Sequence, residues 1–158
     1  MFRRMRRSGQ QLSHEECVEL LKQEPRGVLA VHGEDGYPYA LPLDFVYDEA
    51  TGKLYFHCAK QGHKIDALRR DNRVSFCVHD EGYRKEGDWA LNIRSVIVFG
   101  TMRFIEDRDE TVKFVRMLGL KYYPTPEEVE EEIRKAVERV QMLELTVDHM
   151  TGKLLNES

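Results

Sequence analysis

Hydrophobic and polar positions along this chain change period several times, and each change marks an element. Cys17, Leu20 and Leu21 fall at i, i+3 and i+4, which predicts a short amphipathic helix. Ser13, with Glu16 three residues on, forms a capping box at its start, and Pro25 closes it. From Gly27 the period is that of strands. GVLAVHG is a short apolar run between glycines, and Glu34-Asp35-Gly36 carries the Asp-Gly pair of a tight hairpin turn. Residues 37–47 (YPYALPLDFVY) read as one long extended segment in which Pro38 and Pro42 cannot donate ladder hydrogen bonds. Such a segment lies at an edge or gap of a sheet. It is either an ordinary edge strand or a place where a ligand meets free backbone groups. DEATGK at 48–53 is a second hairpin turn.

In LYFHCAKQGHKIDAL (54–68), Leu54, Phe56 and Cys58 alternate with Tyr55 and His57. Gly62 breaks that strand, and Ile65 and Leu68 return at helical spacing, in a helix closed by Asp71-Asn72. RVSFCVH (73–79) puts Val74, Phe76 and Val78 on one face, and residues 80–90 form a polar loop holding the only tryptophan. Residues 91–106 are the longest strand-like run, with Gly100 marking a bulge or bend. Asp107 starts a helix with the stripe Val112, Val115, Leu118 and with Phe114 alongside. After a break at 122–126, a charged helix over 127–139 has Val129, Ile133, Ala136 and Val137 as a narrow apolar face and an i, i+4 ion pair between Glu131 and Lys135. Residues 142–147 alternate as a final strand, and HMTGK (149–153) reads as a turn after it. The expectation is a mainly β (α+β) fold of six antiparallel strands, able to close into a small barrel, with peripheral helices.

The 54–68 stretch also carries candidate chemistry. A strand that passes through a glycine loop into a helix with Lys64 in its first turn makes an anion site. Unpaired backbone N–H groups leave the helix start, the dipole favours negative charge there, and Lys64 adds a full charge. On these residues alone a solvated surface lysine is the plainer reading.

Composition narrows the picture. The 158 residues suit one domain behind a basic arm over residues 1–12 that holds Arg3, Arg4, Arg6 and Arg7. The arm reads as a disordered tail by default, or as a clamp for an anion or a partner subunit. Hydrophobic residues make up 41% and charged residues 33%, as in ordinary globular proteins, and the net charge of −4 gives no reason to expect nucleic acid as a partner. Three irregularly spaced cysteines form neither a disulfide framework nor a zinc signature, which fits a reducing cytoplasm. No apolar run approaches the roughly 18 to 20 residues of a membrane span, and the N-terminus lacks the apolar core of a signal peptide. Glycine-rich nucleotide motifs, a metal triad and a nucleophile elbow are all missing from the sequence.

GEDGYPYALPLDFVY, LYFHCAKQGHKIDALRRDNRVSFCV and RSVIVFGTMRFIED, in this order and spacing, resemble the flavin-binding split-barrel superfamily of pyridoxamine 5′-phosphate oxidase, and within it the nitroimidazole-resistance (Nim-type) branch. The resemblance spans about residues 3 to 153 and implies a six-stranded split barrel, a homodimer, and FMN at the subunit interface. It implies that Gly62, His63 and Lys64 hold the phosphate. The flavin ring then runs along Pro42, Leu43 and Asp44, whose backbone meets the pyrimidine edge. It implies that His57 stands beside the ring as the substrate-facing, catalytic side chain, and that Ser95 reaches the cofactor from the partner subunit, near a stripe of Val96 and Val98. Without the resemblance, a strand histidine bonded to a neighbour is the plainer reading of His57. Two departures speak against pyridoxamine phosphate oxidation. His63 replaces the arginine that precedes the lysine in the oxidase, and the oxidase's C-terminal substrate segment has no counterpart in HMTGKLLNES. The implied activity is a reductase that passes electrons from NAD(P)H through FMN to a small electron-poor acceptor such as a nitroimidazole. The alternative is a protein that binds or sequesters flavin or haem without turnover.

Overall fold

The computed structural model describes residues 1–156. Its strands are β1 (Arg26–His32), β2 (Pro38–Asp44), β3 (Val46–Asp48), β4 (Lys53–Ala59), β5 (Arg73–His79), β6 (Asn92–Ile105) and β7 (Val140–Asn156). Its helices are α1 (His14–Gln23), α2 (His63–Arg70), α3 (Arg108–Tyr122) and α4 (Pro126–Ala136). The strands form one sheet in the order β2-β1-β5-β6-β7-β4-β3, and every neighbouring pair is antiparallel.

Seven strands replace the expected six because the extended segment breaks at Phe45. β2 ends at Asp44 and β3 begins at Val46, yet they lie at opposite edges of the sheet. Consecutive residues can occupy both edges only if the sheet curls back on itself. The result is a half-barrel in which β2 approaches β4 without pairing with it. Phe45 turns its fully buried ring into the barrel and meets Phe76 edge-on at 5.0 Å. Phe56 meets the other side of Phe76 at 4.9 Å. Leu20 and Leu21 of α1 plug the barrel, and each contributes about 1.5–3 kcal/mol by burial. The capping box that sets the start of α1 is present, with Ser13 and Glu16 exchanging bonds of 3.1 Å. Asp35 and Gly36 both have positive φ, as the hairpin turn between β1 and β2 requires.

A second layer covers the outside of β4 and β7. Phe114 of α3 stacks on Tyr55 at 3.8 Å, so Tyr55 is as buried as Leu54 and Phe56 and the alternation read from sequence does not mark an exposed face. The Tyr55 hydroxyl donates to Glu144, which also accepts two bonds of 3.1 Å from Arg103 and one of 3.3 Å from Lys53. Arg103 first, and then Lys53, hold the Glu144 carboxyl below the usual carboxylate range against the opposing effect of burial. α4 packs Val129, Ile133 and Val137 against Val112 and Val115 of α3. Glu131 and Lys135 pair at 3.2 Å.

Residues 149–153 are not a turn. β7 runs through them and stays paired with β6, with Phe99 opposite His149 and Val96 opposite Gly152. Gly152 is there for space: a Cβ at this position would overlap the Cys17 sulfur of α1. The irregularity expected at Gly100 is present as a register shift between Phe99 and Gly100, with Asp148 of β7 as the extra residue.

Candidate functional site

β4 leads through Lys60–Gly62 into α2. Gly62 is the N-cap, with φ of 136°, a conformation that favours glycine, and it offers no side chain to cap the helix. The first-turn N–H groups of α2 therefore remain available to an anion. Lys64, half-buried in that turn, has no hydrogen bond or ion pair among the described residues. Its charge acts on Cys58, whose thiol is nonetheless pushed up because burial outweighs the lysine. His63 stacks flat on Tyr39 of β2, with ring centroids 4.0 Å apart, and so ties the start of α2 to the edge strand at the split. Gly62, His63 and Lys64 thus lie beside the strand that carries Pro42, Leu43 and Asp44.

His57 points away from the buried Phe56 and is exposed. It lines a cleft of about 220 Å³ together with Asp44 and the facing sides of α3 and α4. Arg26 holds Asp44 by a 2.8 Å bond from Nε. His57 has no hydrogen bond among the described residues, so the structure supplies no bonded neighbour for the plainer reading of this histidine.

The end of α3 secures the split in a way the sequence did not signal. The Tyr122 hydroxyl accepts from the Phe45 N–H at 2.9 Å and lies within donating distance of the Phe45 and Pro25 carbonyls. Lys121 Nζ donates to the carbonyls of Glu24 at 2.7 Å and Phe45 at 2.9 Å, and sits over the Phe45 ring. The strand break leaves the backbone groups of Phe45 without a ladder, and these two side chains satisfy them. Burial lowers the Lys121 pKa to about 8, against the opposing pull of Asp44 and Glu24, and raises that of Tyr122 to about 12. Between about 8 and the ordinary lysine value of 10.5, the unfolded chain binds more protons than the folded one, so Lys121 makes stability rise with pH. Burial raises the pKa of Cys17, Cys58 and Cys77, which opposes this rise equally in wild type and variant. Urea unfolding at about pH 7.5 and about pH 9 is therefore expected to show a stability change that is more positive in the wild type than in Lys121→Met. Equal slopes would remove Lys121 as the source.

The remaining expected residues lie elsewhere on the sheet. Leu43 faces the core, while Pro42 is exposed beside Val28 on the outer surface. Ser95 pairs with His79 and Lys153 on that same outer surface and does not line the His57 cleft. Val96 and Val98 are fully buried and point inward, which corrects the expected interface stripe. Alternation sends Ser95, Ile97 and Phe99 outward instead. Ile97 and Phe99 form with Val28 an exposed apolar band, Val28 42%, Ile97 40% and Phe99 37% accessible, on which Phe2 stacks against Phe99 at 5.4 Å.

A curled antiparallel half-barrel, split beside a helix start suited to an anion, defines the split-barrel class. Residues 13–154 match the pyridoxamine 5′-phosphate oxidase family, and the chain belongs to it. No curated protein matches the sequence. Among solved structures, the chain is similar to a candidate 5-nitroimidazole antibiotic resistance protein of Bacteroides thetaiotaomicron, with a TM-score of 0.78, 22% identity, and coverage of 92% of this chain and 87% of that one. An FAD-binding protein of Mesorhizobium loti gives 0.64 at 24% identity, covering 92% and 96%. An FAD and haem binding protein of Mycobacterium smegmatis gives 0.75 at 23% identity, covering 94% and 74%. These likenesses establish the shared fold. No helix among the described residues is long and apolar enough to cross a membrane.

Proposed function

We propose that this protein is an FMN-dependent reductase, working as a homodimer that passes electrons from a nicotinamide donor to a small electron-poor acceptor such as a nitro compound. The observation that carries this reading is Lys64, unpaired in the uncapped first turn of α2, whose start the His63–Tyr39 stack ties to the edge strand β2. The residues fit a flavin phosphate: N–H groups and one full positive charge converge, and glycine leaves them open. Gly62, His63 and Lys64 hold the phosphate, and the free edge of β2 at Pro42, Leu43 and Asp44 offers backbone groups to the ring. Ser95 of the second copy meets the cofactor across the exposed apolar band, which pairs with its equivalent in the dimer. Bound FMN supplies the two-electron chemistry, and the protein supplies position. His57 orients the acceptor or gives it a proton. Three free cysteines support a reducing compartment such as the cytoplasm.

A second reading, a flavin- or haem-holding protein without turnover, draws on the likeness to the Mycobacterium smegmatis protein. An absorption spectrum of the purified protein separates flavin from haem. Lys64→Ala is expected to weaken FMN binding by about tenfold or more while leaving riboflavin nearly unchanged, because only FMN carries the charge. Equal losses in a fluorescence titration would dismiss Lys64 as the phosphate anchor. Sedimentation at falling concentration tests the dimer, and a monomer that keeps full FMN affinity would refute it.

A further inference from the structure

The cleft between α3 and α4 has walls of Val115, Leu118, Val129, Ala136 and Val140. Gly119 makes it narrow: a Cβ there would lie 2.8 Å from Val129 Cγ1, so the helices approach more closely than any other residue would allow. At about 220 Å³ the cleft is somewhat larger than an apolar cavity of about 150 Å³ that takes up benzene, room enough for one ring with a small substituent. Five lining side chains have polar groups able to meet such a ligand: Asp44, His57, Tyr122, Tyr123 and Glu132. Two are already engaged. Asp44 is bonded to Arg26, and the Tyr122 hydroxyl is occupied by the Phe45 and Pro25 backbone. Glu132, His57 and the Tyr123 hydroxyl have no hydrogen bond or ion pair among the described residues. No lysine or arginine lines the cleft.

We infer that this cleft binds a single-ring aromatic molecule carrying a cationic or hydrogen-donating nitrogen, with Glu132 as the residue that selects it. The apolar walls take the ring by desolvation. The Glu132 carboxylate accepts from the nitrogen and repels an anionic substituent, and no lysine or arginine lines the cleft to compensate such an anion. His57 closes the opposite, sheet side of the slot. The inference deepens the proposed function, and it rests on that reading where it takes this ligand to be the electron acceptor.

Calorimetric titration of the purified protein with benzamidine, benzamide and benzoate tests it. Benzamidine is expected to bind at least about tenfold more tightly than benzamide, with benzoate weaker still. Glu132→Gln is expected to erase the preference for the cation, and Ala136→Phe to abolish benzamidine binding by filling the slot while the thermal melt is kept. Benzoate binding as tightly as benzamidine, no benzamidine binding, or an unchanged preference in Glu132→Gln would overturn the inference. The two readings fail separately. Cation preference that Glu132→Gln removes, in a protein purified without flavin absorbance, supports the slot and ends the flavin reading. Flavin reoxidised by a nitroaromatic in a protein that ignores benzamidine does the reverse.

Discussion

His57→Ala is expected to slow anaerobic reoxidation of the reduced flavin by a nitroaromatic by about 10²- to 10⁴-fold, the range of a lost general acid. The flavin spectrum and the dimer are expected to survive. The separation follows from where the side chain sits. His57 is on β4, whose inward residues Leu54 and Phe56 fill the core, so shortening an outward, exposed side chain removes no core packing. The phosphate is assigned to α2, beyond the Lys60–Gly62 loop, and does not depend on the imidazole. What the substitution removes is a donor on the wall of the cleft, with no protein partner to release. Stopped-flow absorbance of wild type and variant after reduction under argon gives both rates. Identical rates would take His57 out of the chemistry. No reoxidation in the wild type would favour storage over turnover.

Gly100→Ala is expected to cost about 3 kcal/mol or more, at the upper end of overpacking substitutions. A Cβ at Gly100 would overlap the Thr146 carbonyl oxygen and come within 2.9 Å of Leu145 Cδ1. Relief by moving a flexible side chain is not available, because the first atom met is backbone. That backbone belongs to the longest ladder of the protein, β6 on β7, which is paired on both sides of the register shift. Gly9→Ala is the control: nothing lies within 4 Å of a Cβ there, and a change of at most about 0.5 kcal/mol is expected. Urea unfolding reports both. A loss at Gly100 below about 1 kcal/mol would show that β7 yields more easily than its pairing suggests.

Much of this architecture was legible because local rules and tertiary demands agree. Ser13 with Glu16, Asp35-Gly36, and Gly62 before Lys64 each announce a boundary that the fold uses. The apolar stripe of α4 met α3 as its period required. Three features were illegible for distinct physical reasons. Phe45 reads as one more alternating residue, and only closure of the sheet reveals it as the point where the chain changes edges. Tyr55 reads as exposed, because a two-residue period cannot tell that a helix more than fifty residues later will cover that face. Gly152 reads as a turn, since sequence does not distinguish a glycine chosen for its φ from one chosen for the absence of a side chain. Of the candidate site, Lys64 is named by pattern and resemblance together, and His57 by resemblance alone. Lys121 and Tyr122 were missed because their partners are main-chain atoms at 24, 25 and 45, and no residue type in that stretch advertises them.

The single residue between β2 and β3 has a mechanical consequence. Across the split the sheet has a covalent link but no ladder, so the aperture is governed by the torsions of Phe45 and not by a row of hydrogen bonds. Widening it to admit a flat molecule breaks no strand pairing and works instead against the bonds from Lys121 and Tyr122, the His63–Tyr39 stack and the buried Phe45 ring. A fully closed barrel would have to unzip a strand to do the same. The bonds that hold the split shut are mounted on α3, which also walls the cleft, so the split and the slot beside it share one supporting helix.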